Sequence, residues 1–240
     1  MITAGPLLFY LLGLFLLINI LTGNIPPILA KLIFDPPIGI SFIVGLIIGI
    51  TVHEFAHAFV AYRLGDPTAK LAGRLTLNPQ SHLDPIGTIA LLFLGFGWGK
   101  PTPFDPFNLR NVKRDSALIS LSGAATNFAI AALTSLPYLI AYHTHNISPT
   151  FASIYTVLAP FIWINVILGV FNLIPVAPLD GFKVLAGLLP RDWYEDFMQT
   201  ERYGIFILLF LLITGMVGKF LLPITSTILD TLIPGLAVRF

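Results

Sequence analysis

The sequence predicts an all-α polytopic membrane protein with five to six transmembrane helices and a short re-entrant hairpin. Three observations carry this expectation. Of 240 residues, 56% are hydrophobic and only 10% are charged, whereas a soluble domain carries about 25% charged residues. Mean hydropathy is +0.87. Several nearly uncharged runs reach about 20 residues, the length that crosses a bilayer as a helix. No stretch is long or polar enough for a separate soluble domain, so residues 1–240 read as a single transmembrane domain with a core at about 38–190.

Taken in order, the expected spans are Pro6–Thr22, Ile38–Leu64, Ser116–Tyr142, Phe151–Ile174 and Tyr203–Leu222. The first reads as a retained helix. No Lys or Arg precedes it and the first basic residue is Lys31, whereas a cleaved signal begins with a positive segment. Pro137 is expected to kink or end the third span, because proline removes a helical hydrogen bond. The run Ile86–Trp98 is too short to cross. It ends in Gly95-Phe96-Gly97-Trp98-Gly99 and then Lys100-Pro101-Thr102-Pro103, which suggests a re-entrant hairpin. Irregular backbone of this kind is tolerated at depth only where protein or a water-filled cavity covers it. The stretch after Pro223 is apolar but broken by Pro234-Gly235, and is expected along the interface.

Basic residues set the orientation. Arg63, Lys70, Arg74, Lys100, Arg110, Lys113 and Arg114 fall in one loop region, while His143–Thr150 holds no Lys or Arg. The positive-inside rule places the first region in the cytoplasm. Lys183, Arg191 and Arg202 then fall on the same side. A net charge of +1 gives no reason to expect nucleic acid as a partner. The expected surroundings are the lipid bilayer of a cell membrane. The chain has no cysteine, so a transition metal would have to be held by His and carboxylate.

One ionisable cluster stands out. Between Asp35 and Arg63 the only formally charged residue is Glu54, inside His53-Glu54-Phe55-Ala56-His57. Charge in the middle of a span is costly and marks function by default. His53 and His57 lie one helical turn apart, so their rings leave one face. Glu54 is then placed to take a proton from water at an ion bound there. His57 lies roughly 10 Å from the cytoplasmic end of its helix, which puts the site inside the bilayer but nearer the cytosol.

A catalytic zinc takes three protein ligands and keeps one position open. Asp180 is the leading third ligand. It ends a stretch, Ser116 to Leu179, that holds no Asp, Glu, Lys or Arg, and it follows Pro175 and Pro178 and precedes Gly181. The two prolines break the helix, and Gly181 permits close approach. Read alone, Asp180 could instead cap a helix or sit at the interface beside Lys183.

With His53-Glu54-x-x-His57 and Asn172-x-x-Pro175-x-x-x-x-Asp180-Gly181 in one chain, the sequence resembles the site-2 protease family of intramembrane zinc proteases. Gly73-Arg74-Leu75-Thr76-Leu77-Asn78-Pro79, His82-Leu83-Asp84-Pro85-Ile86-Gly87 and Gly97-Trp98-Gly99-Lys100-Pro101 resemble the small bacterial members that lack a PDZ domain. The likeness runs from about Gly45 to Pro190. It implies one Zn2+ per chain on His53, His57 and Asp180, with Glu54 as catalytic base. It implies an endopeptidase that cuts within or near transmembrane segments of membrane-protein substrates, in regulated intramembrane proteolysis. Gly95 and Gly97 of the hairpin are expected to offer a backbone edge to extended substrate. Asn172 is expected to hydrogen-bond substrate backbone or the developing oxyanion, or else to tie broken helices together.

Other polar and aromatic residues carry plainer readings. His82 and Asp84 could form a second metal site or a gate, though a turn between Pro79 and Pro85 is the commoner outcome. His143 and His145 read as solvated. Trp98, Trp163 and Trp193 read as interface anchors or bundle filling. Two competing functions use the same residues. A metal-ion or proton transporter would need exchange sites on both sides, and no matching cluster is buried in the outer half. A homologue that binds membrane segments without cutting would not need the intact Glu54.

Overall fold

The computed structural model describes residues 27–94 and 97–236. The expected span Pro6–Thr22 lies outside them. Regular structure in the described residues is helical, apart from an isolated antiparallel bridge between Leu83 and Gly99. The helices are α1 (Pro27–Phe34), α2 (Pro36–Arg63), α3 (Thr68–Leu71), α4 (Pro85–Leu94), α5 (Val112–His143), α6 (Pro149–Asn172), α7 (Asp180–Leu188), α8 (Arg191–Gln199), α9 (Gly204–Ile213) and α10 (Met216–Leu232).

Among the described residues three helices are long and apolar enough to cross a membrane: α2, α5 and α6. A fourth span arises only if Arg191–Ile213 and Met216–Leu232 count as one, and these are bent by 76°. Against the five to six spans expected from sequence, the described residues hold three to four, and Pro6–Thr22 is not among them. Tyr203–Leu222 is not one helix. It breaks at Gly215, whose φ of +70° is a left-handed conformation natural to glycine.

Pro137 does not end its span. α5 runs on through Pro137, and α10 runs through Pro223. A proline costs a helix one internal hydrogen bond, and packing of the surrounding turns offsets that loss. The segment after Pro223 does not lie apart from the bundle. Val217, Leu221 and Leu229 of α10 join a core with Tyr138 of α5 and Tyr155, Ile162 and Val166 of α6. The Tyr138 hydroxyl donates to the Pro234 carbonyl at 3.1 Å.

The bundle is built with its small and polar residues inward. The buried face of α2 is Gly39, Phe42, Gly45, Leu46, Gly49, Thr51, His53, Ala56, His57, Ala58 and Ala61. Its outer face carries Ile40, Val44, Ile48 and Phe59. Between helices that face lipid there is no hydrophobic driving force, so close packing and buried hydrogen bonds supply association. Gly45 and Gly49 show this closeness. A Cβ on Gly45 would lie 2.8 Å from the Phe161 Cα, and one on Gly49 2.7 Å from Leu168 Cδ1.

Past α2 the chain is tied down by Asp66, which is fully buried. Its carboxylate accepts from the Thr68 amide (3.0 Å) and hydroxyl (2.5 Å), the Asp105 amide (2.7 Å) and the Asn108 side chain (2.8 Å). Burial alone would push its carboxyl up, but these donors hold it below the ordinary carboxylate range. Because the folded pKa lies below the unfolded one, the contribution to stability is complete above about pH 4 and is lost as pH falls through the folded value. Asp66→Ala strands several donors and is expected to cost about 3 kcal/mol, read as a lower thermal midpoint in detergent. The wild-type margin over the variant should shrink as the pH is taken below 4.

Candidate active site

Both histidines are delivered by one face of α2 and are buried, at 6% and 7% exposure. Their rings stand edge to face with centroids 4.6 Å apart. Asp180 arrives from a break. α6 ends at Asn172, and Pro175 and Pro178 interrupt the chain before α7 begins at Asp180. The turn closes tightly on Gly181, where a Cβ would lie 2.2 Å from the Leu173 carbonyl oxygen. Only glycine allows this approach, which aims Asp180 back at α2. Its Oδ2 lies 3.0 Å from His53 Nε2 and 3.1 Å from His57 Nε2. Ligand atoms of His53, His57 and Asp180 all fall within 4.8 Å of one another.

The other ring nitrogens decide what this cluster can hold. His57 Nδ1 lies 2.7 Å from the Ile119 carbonyl, which can only accept. His53 Nδ1 lies 2.7 Å from Asn127 Oδ1. The Asn127 amide is oriented by its own donations from Nδ2 to the Gly49 carbonyl and to Asn165 Oδ1, both 3.1 Å. Asn165 in turn donates to the Gly45 and Phe161 carbonyls, at 3.3 Å and 2.9 Å. Both rings therefore carry their proton on Nδ1. The neutral rings then turn two Nε2 lone pairs and a carboxylate oxygen toward one point, an arrangement that a cation reconciles. Two imidazoles and one carboxylate form a donor set of catalytic zinc sites, and the residues present fit that ion. The cradle is also shaped by Gly123 of α5, where a Cβ would sit 2.6 Å from His53 Nε2 and His57 Cε1.

Glu54 stands beside this cluster, half-buried. Its Oε2 accepts from the Thr102 amide at 2.8 Å, and its main-chain carbonyl accepts from the Thr102 hydroxyl at 3.0 Å. Thr102 follows the Leu83–Gly99 bridge, so the segment that leaves at Leu83 returns along the site.

The remaining candidates separate. Gly95 lies outside the described residues. Gly97 is half-buried, ahead of a close approach in which a Cβ on Gly87 would meet the Trp98 carbonyl at 2.1 Å. Asn172 donates to the Leu168 carbonyl at 2.9 Å. His82 is fully buried with Nε2 2.7 Å from the Thr76 carbonyl, and Asp84 accepts from the Gly87 amide at 2.8 Å. These two build a turn, and the described residues place neither in a metal cluster. Sequence reasoning missed Asn127 and Asn165, both fully buried. The available signal was an amide in the middle of each apolar span, which needs a buried partner. Asn127→Ala removes the acceptor that orients His53, and is expected to weaken metal affinity about 10- to 100-fold. Competition with a fluorescent chelator checks this.

Comparison with known proteins gives the family. Residues 135–214 match peptidase family M50, a region that includes Asp180. "Putative zinc metalloprotease YwhC" of Bacillus subtilis is 38% identical over 195 residues, covering 80% of this chain and 88% of that protein. "Putative zinc metalloprotease Rip2" of Mycolicibacterium smegmatis is 28% identical over 196 residues, covering 80% and 73%. No solved structure matches the chain. The chain belongs to peptidase family M50, the site-2 protease family.

Proposed function

We propose that this chain is an intramembrane zinc metalloendopeptidase that hydrolyses peptide bonds within or near transmembrane segments of membrane-protein substrates. The observation that carries the reading is the convergence of His53 Nε2, His57 Nε2 and Asp180 Oδ2 beside Glu54, on a helix apolar enough to cross a membrane. His53, His57 and Asp180 would hold the ion. Zinc there supplies Lewis acidity, polarising the scissile carbonyl and making water acidic enough to attack near neutral pH.

The chain's own groups supply the proton traffic. Thr102 occupies Oε2 of Glu54, so Oε1 is the oxygen that takes a proton as the water oxygen bonds to the carbonyl carbon. The same proton passes from Oε1 to the amine nitrogen as the C–N bond breaks. Asn127 and the Ile119 carbonyl hold the imidazoles in one tautomer throughout. Asn172 spends one amide hydrogen on Leu168 and keeps further hydrogen-bonding capacity for substrate backbone. We read the run Ile86–Trp98 as the re-entrant hairpin, whose Gly-rich edge pairs with substrate once its helix unwinds. The active site then lies in a cell membrane, nearer the cytoplasmic face, by the distribution of basic residues.

The test is a reporter transmembrane segment in liposomes, with the enzyme as prepared, stripped by chelator and reloaded with zinc. New peptide termini that vanish on stripping and return on reloading support the reading. Zinc flux across the vesicle without new termini favours the transporter.

A further inference from the structure

Pro101-Thr102-Pro103 contains one main-chain N–H, because proline has none. That single donor goes to Glu54 Oε2, and the hydroxyl of the same residue goes to the Glu54 carbonyl. Prolines also restrict the residue before them to extended backbone. Lys100 and Thr102 both precede one, so the segment is stiff before it meets α2.

The segment is pinned on both sides of Thr102. Upstream, the Lys100 amide donates to the His82 carbonyl at 2.7 Å, and the Lys100 carbonyl accepts from Arg74 Nη2. Downstream, Asp66 takes the Asp105 amide and the Asn108 side chain. Arg74 is the unusual member. It is a guanidinium at 5% exposure, and its Nε has no hydrogen-bond partner among the described residues. Burial pulls it below its ordinary range and the Glu54 charge opposes that. A charge buried at such cost needs a return, and among the described residues its hydrogen bond goes to the residue that leads into Pro101.

We propose that Thr102 and Arg74 are positioning residues for Glu54: Arg74 holds the Lys100 carbonyl, and the stiffened segment then presents the Thr102 amide and hydroxyl to Glu54. One carboxylate oxygen is thereby occupied and the other is left for the proton. The inference rests on the assignment of Glu54 as the base. Arg74 acts through the main chain of Lys100, so its removal shifts Glu54 without touching the ligands.

The experiment measures kcat, KM and bound zinc with a reporter transmembrane segment for wild type, Thr102→Ser, Thr102→Val, Arg74→Ala and Arg74→Lys. Thr102→Ser keeps both donors and should match wild type. Thr102→Val and Arg74→Ala should lower kcat about tenfold or more, with KM and zinc content within twofold of wild type. Added guanidinium ion should restore part of the Arg74→Ala loss. In a Glu54→Asp background, where the shorter carboxylate no longer reaches the Thr102 amide, the two changes should have no further effect. The proposal is overturned if kcat is unchanged, if the loss lies in KM or zinc content, or if the losses add in full to that of Glu54→Asp. Should Glu54→Gln itself retain turnover, the base assignment fails instead. An inactive Glu54→Gln beside fully active Thr102→Val and Arg74→Ala removes only the positioning role.

Discussion

Glu54→Gln is expected to lower reporter cleavage by at least about a hundredfold and to leave bound zinc at the wild-type level. The two halves of this result come from different atoms. The amide oxygen of glutamine still accepts from the Thr102 amide that now meets Oε2, so the side chain keeps its place. His53, His57 and Asp180, which converge without help from Glu54, are untouched. What is lost is an oxygen able to take a proton and return it to the departing amine. Metal analysis and cleavage of the same preparation separate the two. Full proteolysis by this variant would refute the mechanism, while loss of zinc would make Glu54 a ligand or a structural support.

Gly123→Ala is expected to remove most bound zinc, and activity with it, although no ligand is changed. The added methyl would stand 2.6 Å from His53 Nε2 and from His57 Cε1, closer than such atoms pack. α5 and α2 would have to separate, or the rings turn, and each ring is fixed behind by a 2.7 Å hydrogen bond. Either movement spoils the convergence on Asp180 Oδ2. His53→Ala provides the comparison, since it deletes a ligand outright. Zinc content near wild type in Gly123→Ala would mean that the helices yield easily at this point and that the cradle is not set by α5.

The membrane class, the His53, His57 and Asp180 cluster and the carboxylate of Glu54 beside it were legible because each breaks the pattern around it. Glu54 is the only formal charge between Asp35 and Arg63, and Asp180 ends a long uncharged stretch. The turn of Gly181 under the Leu173 carbonyl is the close approach that a glycine beside two prolines announces. The span count was less legible, because hydropathy measures apolarity and not continuity. Within Tyr203–Leu222, Ile205–Ile213 and Phe220–Leu222 are apolar throughout, and a left-handed Gly215 divides the run. Pro137 does not end its span, since tertiary packing carries α5 past a missing hydrogen bond. Asn127, Asn165 and Gly123 act through partners on other helices, and no spacing along one segment reveals such pairings. Arg74 and Thr102 lie in motifs that were noticed, but their link through Lys100 exists only in three dimensions.

The inward placement of glycine on α2 has a consequence for how such chains diverge. Outward positions such as Ile40, Val44 and Ile48 ask only for an oily side chain, so Leu, Ile, Val and Phe exchange there freely. Gly45 admits nothing larger without moving the neighbouring helix, and Gly49 and Gly123 nothing larger without displacing a packed side chain. The outward side is thus constrained by oiliness, and the interior register by volume. A change that keeps oiliness outside and volume inside would therefore leave His53, His57 and Asp180 where they stand.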